Sequence, residues 1–281
     1  MKNIKVYKNS GDSLISQLES FYKTFKEIND LEKVSFDLTE LNWINPLLIN
    51  TISTYTYHSK SEILVPNDSK IYPYLNKISF PDGVNSVAKI AHFNKSYTPV
   101  SKLDSNVDSL ARNKIFDCFL DLIYKIIGEV PGAKTAMFYP LTELTNNIFE
   151  HSKSKMGFLF GQSFEHKKCL DICIVDKGRG IKKSYEEEKG LHYTDEEALT
   201  ESLKGHSTKN AERGFGIHTS GKLICQGFGG EYMIISGNAV YIQTKGKEIL
   251  TTLKGFNWEG VIVMYKIPFP KGKIDITPYI E

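Results

Sequence analysis

The sequence predicts an α/β protein in two units, a small α/β unit over residues 1–95 and a larger one over 105–275. Three observations carry that prediction. Helical and strand periodicities alternate along the first part of the chain. A polar stretch at 94–106 (NKSYTPVSKLDSN) holds a proline and separates the two parts. Two consecutive helical patterns and two adjacent apolar strand patterns then follow it.

In the first unit, Ser13 to Ile28 places apolar residues at 14, 15, 18, 21, 22 and 25, the period of an amphipathic helix. Val34-Ser-Phe-Asp-Leu alternates as a half-buried strand does. The β-branched and aromatic runs Asn50–Tyr57 and Glu62–Val65 fit helix or strand equally well. After the boundary, 107–130 reads as one helix with a wide apolar stripe, stopped by Gly128 and Pro131. A second helix is expected from about 134 or 140 to 152. Strands at Met156–Phe164 and Cys169–Asp176 come next, the latter with apolar residues on both faces, so that both should be covered. A long polar segment spans Lys182 to Arg213, followed by a helix from Phe215 to Gln226. Strands are expected near 231–235, 240–244 and 261–267.

Composition narrows the function. The chain has 281 residues, and its 35 basic side chains (32 Lys, with only Arg112, Arg179 and Arg213) nearly balance 33 acidic ones. Base-edge readout relies on forked arginine contacts, so sequence-specific nucleic-acid recognition is disfavoured, while weak non-specific binding stays open. The four cysteines show no metal-site spacing and read as reduced core residues. With neither a secretory leader nor a membrane-length apolar run, a soluble cytoplasmic protein is expected.

Three motifs carry chemistry. In the helix at 134–152, Glu143, Asn147 and His151 stand four residues apart and share an arc of about 80°. They line the margin of the face that Leu144 and Ile148 bury, where the wall of a pocket would lie. Taken alone they are equally readable as polar boundary residues. Next, Asp176-Lys-Gly178-Arg-Gly180-Ile181 ends an apolar strand: a fixed carboxylate there accepts hydrogen bonds from an amino group, and the glycines permit close backbone approach. A tight turn is the plain alternative. Third, Gly205-His-Ser-Thr208-Lys209 precedes Arg213-Gly214-Phe215-Gly216-Ile217 at a helix start, where free N–H groups, hydroxyls and cations suit an anion.

In this order the three motifs resemble the N, G1 and G2 boxes of the ATP-binding domain shared by the gyrase, Hsp90, histidine-kinase and MutL (GHKL) superfamily, over about residues 105–270. The resemblance implies a Bergerat-type two-layer sandwich, helices over a mixed sheet, that holds Mg-ATP. Asn147 would offer its amide oxygen to Mg²⁺, and Asp176 would take the adenine amino group. Gly178 and Gly180 would let the backbone pass close to the nucleotide, with Ile181 beside them. Thr208, Lys209, Arg213 and the Gly214–Ile217 amides would meet the phosphates. Glu143 stands in the place of the family's general base, and His151 near phosphate or metal-bound water. The segment 182–213 falls where the family keeps its ATP lid; a solvated helix pair is the alternative.

Two departures stand out. The family's last strand commonly begins Gly-Thr, whereas here Gly260 is followed by Val261. No helical hairpin presents a phosphoacceptor histidine ahead of the N box. The small stand-alone relatives are the anti-sigma-factor serine kinases, and 34–49 resembles the strand-to-helix segment of STAS domains, with Asn45-Pro46 where those carry the acceptor serine. An unrelated small α/β domain is the alternative reading. The resemblance implies an ATPase or Ser/Thr protein kinase acting in signalling on a regulatory partner protein. A nucleotide-gated interaction switch with little turnover is the other reading. A STAS-like unit without its serine would be a docking or dimerisation module, making a homodimer one expected state.

Overall fold

The computed structural model describes residues 1–91, 96–128, 130–150, 152–206, 216–244 and 246–279. The chain is mixed α/β. Strand β1 (Lys2–Lys5), helix α1 (Leu14–Phe25), β2 (Val34–Asp37), helix α2 (Pro46–Ser59) and β3 (Glu62–Leu64) form a βαβαβ unit with a parallel sheet ordered β1-β2-β3. Ser13 caps α1 by accepting the Ser16 N–H at 3.2 Å. Asn45 caps α2 by accepting the Leu48 N–H at 2.9 Å, with Pro46 in the first turn, where its missing N–H costs nothing. The ambiguous run 50–57 is therefore helix and 62–64 strand. Every residue from Pro46 to Tyr55 is buried, so α2 has no solvent face and no amphipathic period to read. Two short helices follow, α3 (Tyr72–Lys77) and α4 (Val87–Ala91).

The expected boundary at 94–106 contains a strand, β4 (Ser101–Asp104), whose Ser101 and Leu103 point inward and which pairs with β5. Helices α5 (Ser109–Ile127) and α6 (Ala133–Glu150) precede β5 (Met156–Phe164) and β6 (Cys169–Asp176). The polar segment folds in part as α7 (Gly180–Lys189) and α8 (Asp195–Leu203). Helix α9 (Gly216–Lys222) runs on into a π-helical turn over Leu223–Gly227. Strands β7 (Glu231–Gly237), β8 (Ala239–Thr244), β9 (Lys247–Thr252) and β10 (Trp258–Pro268) complete a seven-stranded sheet ordered β4-β5-β6-β10-β7-β8-β9. Its pairs are all antiparallel, because β10 inserts between β6 and β7 and runs against both. The mixed sheet implied by the resemblance is corrected on this point.

Helices α5 to α9 contribute to the core on one face of this sheet, with Phe119, Met137, Leu141, Ile172 and Ile234 inside it. On the other face Phe158, Phe160, Val175, Met233 and Met264 belong to one continuous buried cluster with Phe21, Phe25, Ile49 and Ile52 of α1 and α2. Two polar pins cross that junction. Asn50 Nδ2 donates to the carbonyls of Phe158 and Cys173 at 3.0 and 2.9 Å. Gln17 Nε2 donates to Asp171 at 2.7 Å, and Asp171 also accepts from Lys266 Nζ at 2.8 Å. The N-terminal unit is thus the second cover of the large sheet. No helix among the described residues is long and apolar enough to cross a membrane. All four cysteines are free, Cys169 and Cys173 buried and Cys118 and Cys225 half-buried.

Candidate functional site

A cleft opens on the α5–α9 side of the sheet, over the C-terminal end of β6. It contains about 830 Å³ of empty space, its open mouth included. Helix α6 supplies Glu143, Leu144, Asn147 and Ile148; the sheet supplies Ile174, Asp176, Val261 and Val263; α7 supplies Gly180, Ile181, Ser184 and Tyr185; α9 supplies Gly216 and Ile217. Six of the expected site residues therefore meet at one cleft from α6, β6, α7 and α9 with Gly216 the seventh: Glu143, Asn147, Asp176, Gly180, Ile181 and Ile217 are the others. Gly178 stands behind the wall. His151, Thr208, Lys209, Arg213, Gly214 and Phe215 lie outside the described residues.

Asp176, 4% exposed, is the last residue of β6. Burial pushes its carboxyl up to about 7, against the opposing pull of the Gly178 N–H, the Ser152 hydroxyl, the Val261 N–H and the charge of Lys177. The Gly178 N–H donates to Oδ1 at 2.8 Å. A carboxylate facing an apolar cleft with donors behind it is set to accept one more hydrogen bond from the cleft side.

The glycines also serve the protein's own packing. A Cβ on Gly178 would lie 2.3 Å from the Ser152 carbonyl oxygen, and the Arg179 N–H donates to that oxygen at 2.9 Å. Gly178 thus lets the turn press against the end of α6, so its closeness serves the protein's own packing. Gly180 has φ +73°, and the space a Cβ would need faces Ser236 Oγ and the Gly260 backbone. Ser236 Oγ accepts the Ile181 N–H at 2.9 Å and donates to the Gly260 carbonyl at 3.1 Å. The start of α7 is thereby tied to β7 and β10. Gly216 sits against Glu143: its Cβ would fall 2.8 Å from Oε2.

The described part of the segment expected as a lid is a helix pair. Thr194 and Glu197 form a capping box on α8, and Ala198 and Leu199 are fully buried. Arg179 is paired with Glu187 at 2.5 Å and Glu188 at 2.8 Å, both on α7. His206, which the third motif includes without a role of its own, lines the cleft; its Nδ1 lies 2.6 Å from Glu201, and its carbonyl accepts from the Tyr185 hydroxyl. Ser152, one residue past the third N-box position, was missed as a support of Asp176; a hydroxyl at a helix end beside a strand-end carboxylate was the available signal.

Asn147 is half-buried on the cleft wall, and no side-chain hydrogen bond ties it down among the described residues. An amide oxygen so placed suits a hard cation that takes few protein ligands and keeps its other positions for phosphate and water. Among the described residues there is no cluster of three His, Cys, Asp or Glu able to hold a metal by itself. Comparison of the chain with models of known protein families, with curated proteins and with solved structures finds no match in any of the three.

Proposed function

We propose that the cleft binds Mg-ATP in the manner of the GHKL superfamily, and that the chain hydrolyses it or transfers its γ-phosphate to a Ser or Thr of a partner protein. The observation that carries this is the convergence of Asp176, Asn147 and Glu143 on one cleft with Gly180 and Gly216 at its edges. These residues come from four separate elements and were singled out by motif alone. The apolar walls, Leu144, Ile148, Ile174, Ile181, Val261 and Val263, suit a flat base, and Asp176 between them suits its amino group.

On this reading Val261 covers the base through its side chain and steadies Asp176 through its N–H. The contact that a threonine would make there is replaced by packing. Mg²⁺, held by Asn147 and the nucleotide, would neutralise charge on the phosphates. The Glu143 carboxylate, which lines the same cleft as Asp176 from α6, takes the proton from the attacking hydroxyl or water. On this reading the fold is a Bergerat-type arrangement whose second sheet face is covered by a STAS-like N-terminal unit; what favours it is a sheet with helices over one face and a βαβαβ unit over the other.

Incubation with γ-labelled Mg-ATP tests the proposal. Free labelled phosphate, or label on a partner or on the chain, is expected from the native protein, with a loss of about 100-fold or more in Glu143→Ala, the usual scale for a general base. Asn147→Ala is expected to weaken ATP binding in Mg²⁺ by about tenfold and to leave binding in EDTA unchanged. Tight binding with neither product would select the second reading, a nucleotide-gated interaction switch; that reading is favoured by the close approach of Gly216 to Glu143, which puts the base against the start of α9.

A further inference from the structure

Asp176 and Lys177 are consecutive at the end of β6 and face opposite ways, as alternation in a strand requires. Asp176 turns to the cleft. Lys177 turns to the N-terminal unit, where its ammonium is 3% exposed and paired with Asp30, which lies in the α1–β2 connection. The same ammonium stands 4.8 Å from the Trp258 ring centre and 5.7 Å from that of Tyr55. Trp258 is buried among Phe21, Phe25 and Tyr55, and its Nε1–H donates to the Asp176 carbonyl at 3.0 Å. Tyr55 fixes the connection that carries Asp30 by donating to the carbonyls of Asn29 and Glu32, at 3.0 and 2.8 Å.

A buried ammonium is costly unless a partner and aromatic faces surround it, and here all of them belong to, or pack on, the N-terminal unit. Such a group holds the strand end in one place. Release of Lys177 from Asp30 would loosen the strand end next to Asp176 on the side away from the cleft, leaving the Trp258 hydrogen bond and the pairing with Gly157 of β5 to hold it.

We infer that Lys177 and Trp258 are positioning residues for Asp176, and that the N-terminal unit, through Asp30 and Tyr55, sets how selectively the cleft takes adenine over other purine bases. The inference rests on the reading of the cleft as an ATP site. A carboxylate held in place rewards a 6-amino group, which donates, and repels the 6-oxo group of inosine, which accepts. A displaced carboxylate does neither well.

The test is the affinity of the full-length chain for Mg-ATP and Mg-ITP by calorimetry, for the native protein, Lys177→Met and Trp258→Phe. Met fills the volume of the lysine stem and leaves Asp30, 31% exposed, to water; Phe keeps the aromatic packing and removes only the N–H. The native chain is expected to prefer ATP by about tenfold or more, the scale of one hydrogen bond to a charged group. Each variant is expected to shrink that ratio by about threefold or more, through loss of ATP affinity while ITP affinity holds or rises as the repulsion of its 6-oxo group is relieved. A purely structural role would lower the melting temperature and weaken both nucleotides together, and that result, or an unchanged ratio in both variants, overturns the inference while leaving the ATP site standing. A native chain that binds neither nucleotide overturns the ATP reading itself and this inference with it. Should Lys177→Met unfold, Trp258→Phe alone decides.

Discussion

Asp176 makes the stability of the protein depend on pH in a direction opposite to that of an ordinary salt-bridged carboxylate. Its carboxyl titrates near 3.8 when exposed and is pushed up to about 7 in the fold by burial. Below 3.8 both folded and unfolded states carry the proton, and the group contributes nothing. Between 3.8 and about 7 the folded state holds a proton that the unfolded state has lost, so stability falls as pH rises, and above about 7 the penalty is complete. From about pH 5.5 to about pH 8, roughly one and a half pH units of that window are crossed at about 1.4 kcal/mol each, or about 2 kcal/mol. With an unfolding entropy of about 2 cal/mol/K per residue, a chain of this size should lose about 3–4 °C of melting temperature from this group alone. Asp176→Asn does not titrate and should lack that slope, whatever its absolute melting temperature. Differential scanning fluorimetry of both proteins at intervals across that range, without nucleotide, reads the difference, since every other titrating group is common to the two. Parallel curves, agreeing within about 1 °C, would refute the reasoning. A native protein that gains stability over the variant as pH rises would show that the donors of Gly178, Ser152 and Val261 outweigh burial.

Two further outcomes follow from packing. Gly260, with φ +114°, carries its α-carbon so close to β6 that a Cβ would lie 2.2 Å from the Asp176 carbonyl oxygen; Gly260→Ala should therefore cost about 3 kcal/mol or more and lower the melting temperature by about 5 °C, and a variant within about 1 °C of native would contradict it. Lys266→Met should cost about 3–5 kcal/mol by leaving the fully buried Asp171 with Gln17 as its remaining partner, whereas Lys266→Met combined with Asp171→Leu should recover most of that loss; thermal unfolding of the single and double variants measures both.

The parts legible in the sequence were those with a clear period or a bounded apolar run. Helix α1 shows its period because one side is wet, and β5 and β6 stand where their apolar runs placed them. Helix α2 was ambiguous because it is buried on every side between two sheets, which erases the 3.6-residue signal that exposure creates. Strand β9 was missed for the opposite reason: Lys247–Thr252 is an exposed edge, mostly polar, held to the sheet by β8 alone. In the site, Glu143, Asn147 and Asp176 could be read from spacing because helix and strand geometry convert spacing into direction. Ser152, His206 and Val261 could not, since their roles depend on where the ends of α6, α8 and β10 meet. The glycines were legible as necessary, but not their part in packing: Gly178 makes room for Ser152, and Gly260, which the motif departure had marked only as a missing threonine's neighbour, makes room for the Asp176 carbonyl.

That geometry bears on what the N-terminal unit is for. A docking module tied on by a linker would leave the far face of the large sheet complete without it, with polar residues turned to water. Here that face carries Phe158, Phe160, Val175, Met233, Ile235 and Met264, all buried, and its covering helices send Asn50 and Gln17 into the sheet as hydrogen-bond donors. The strand that would begin the second unit, β4, sits in the stretch that should have been the linker. A partner that grips the N-terminal unit therefore grips the back of the sheet, and at the end of β6 Asp176 lines the cleft while the next residue, Lys177, pairs with Asp30 of that unit. A force applied to Asp30 or Tyr55 has a path of two contacts to the carboxylate in the cleft, through Lys177 or through Trp258. Regulation by such a partner would need only a change in how firmly one strand end is held.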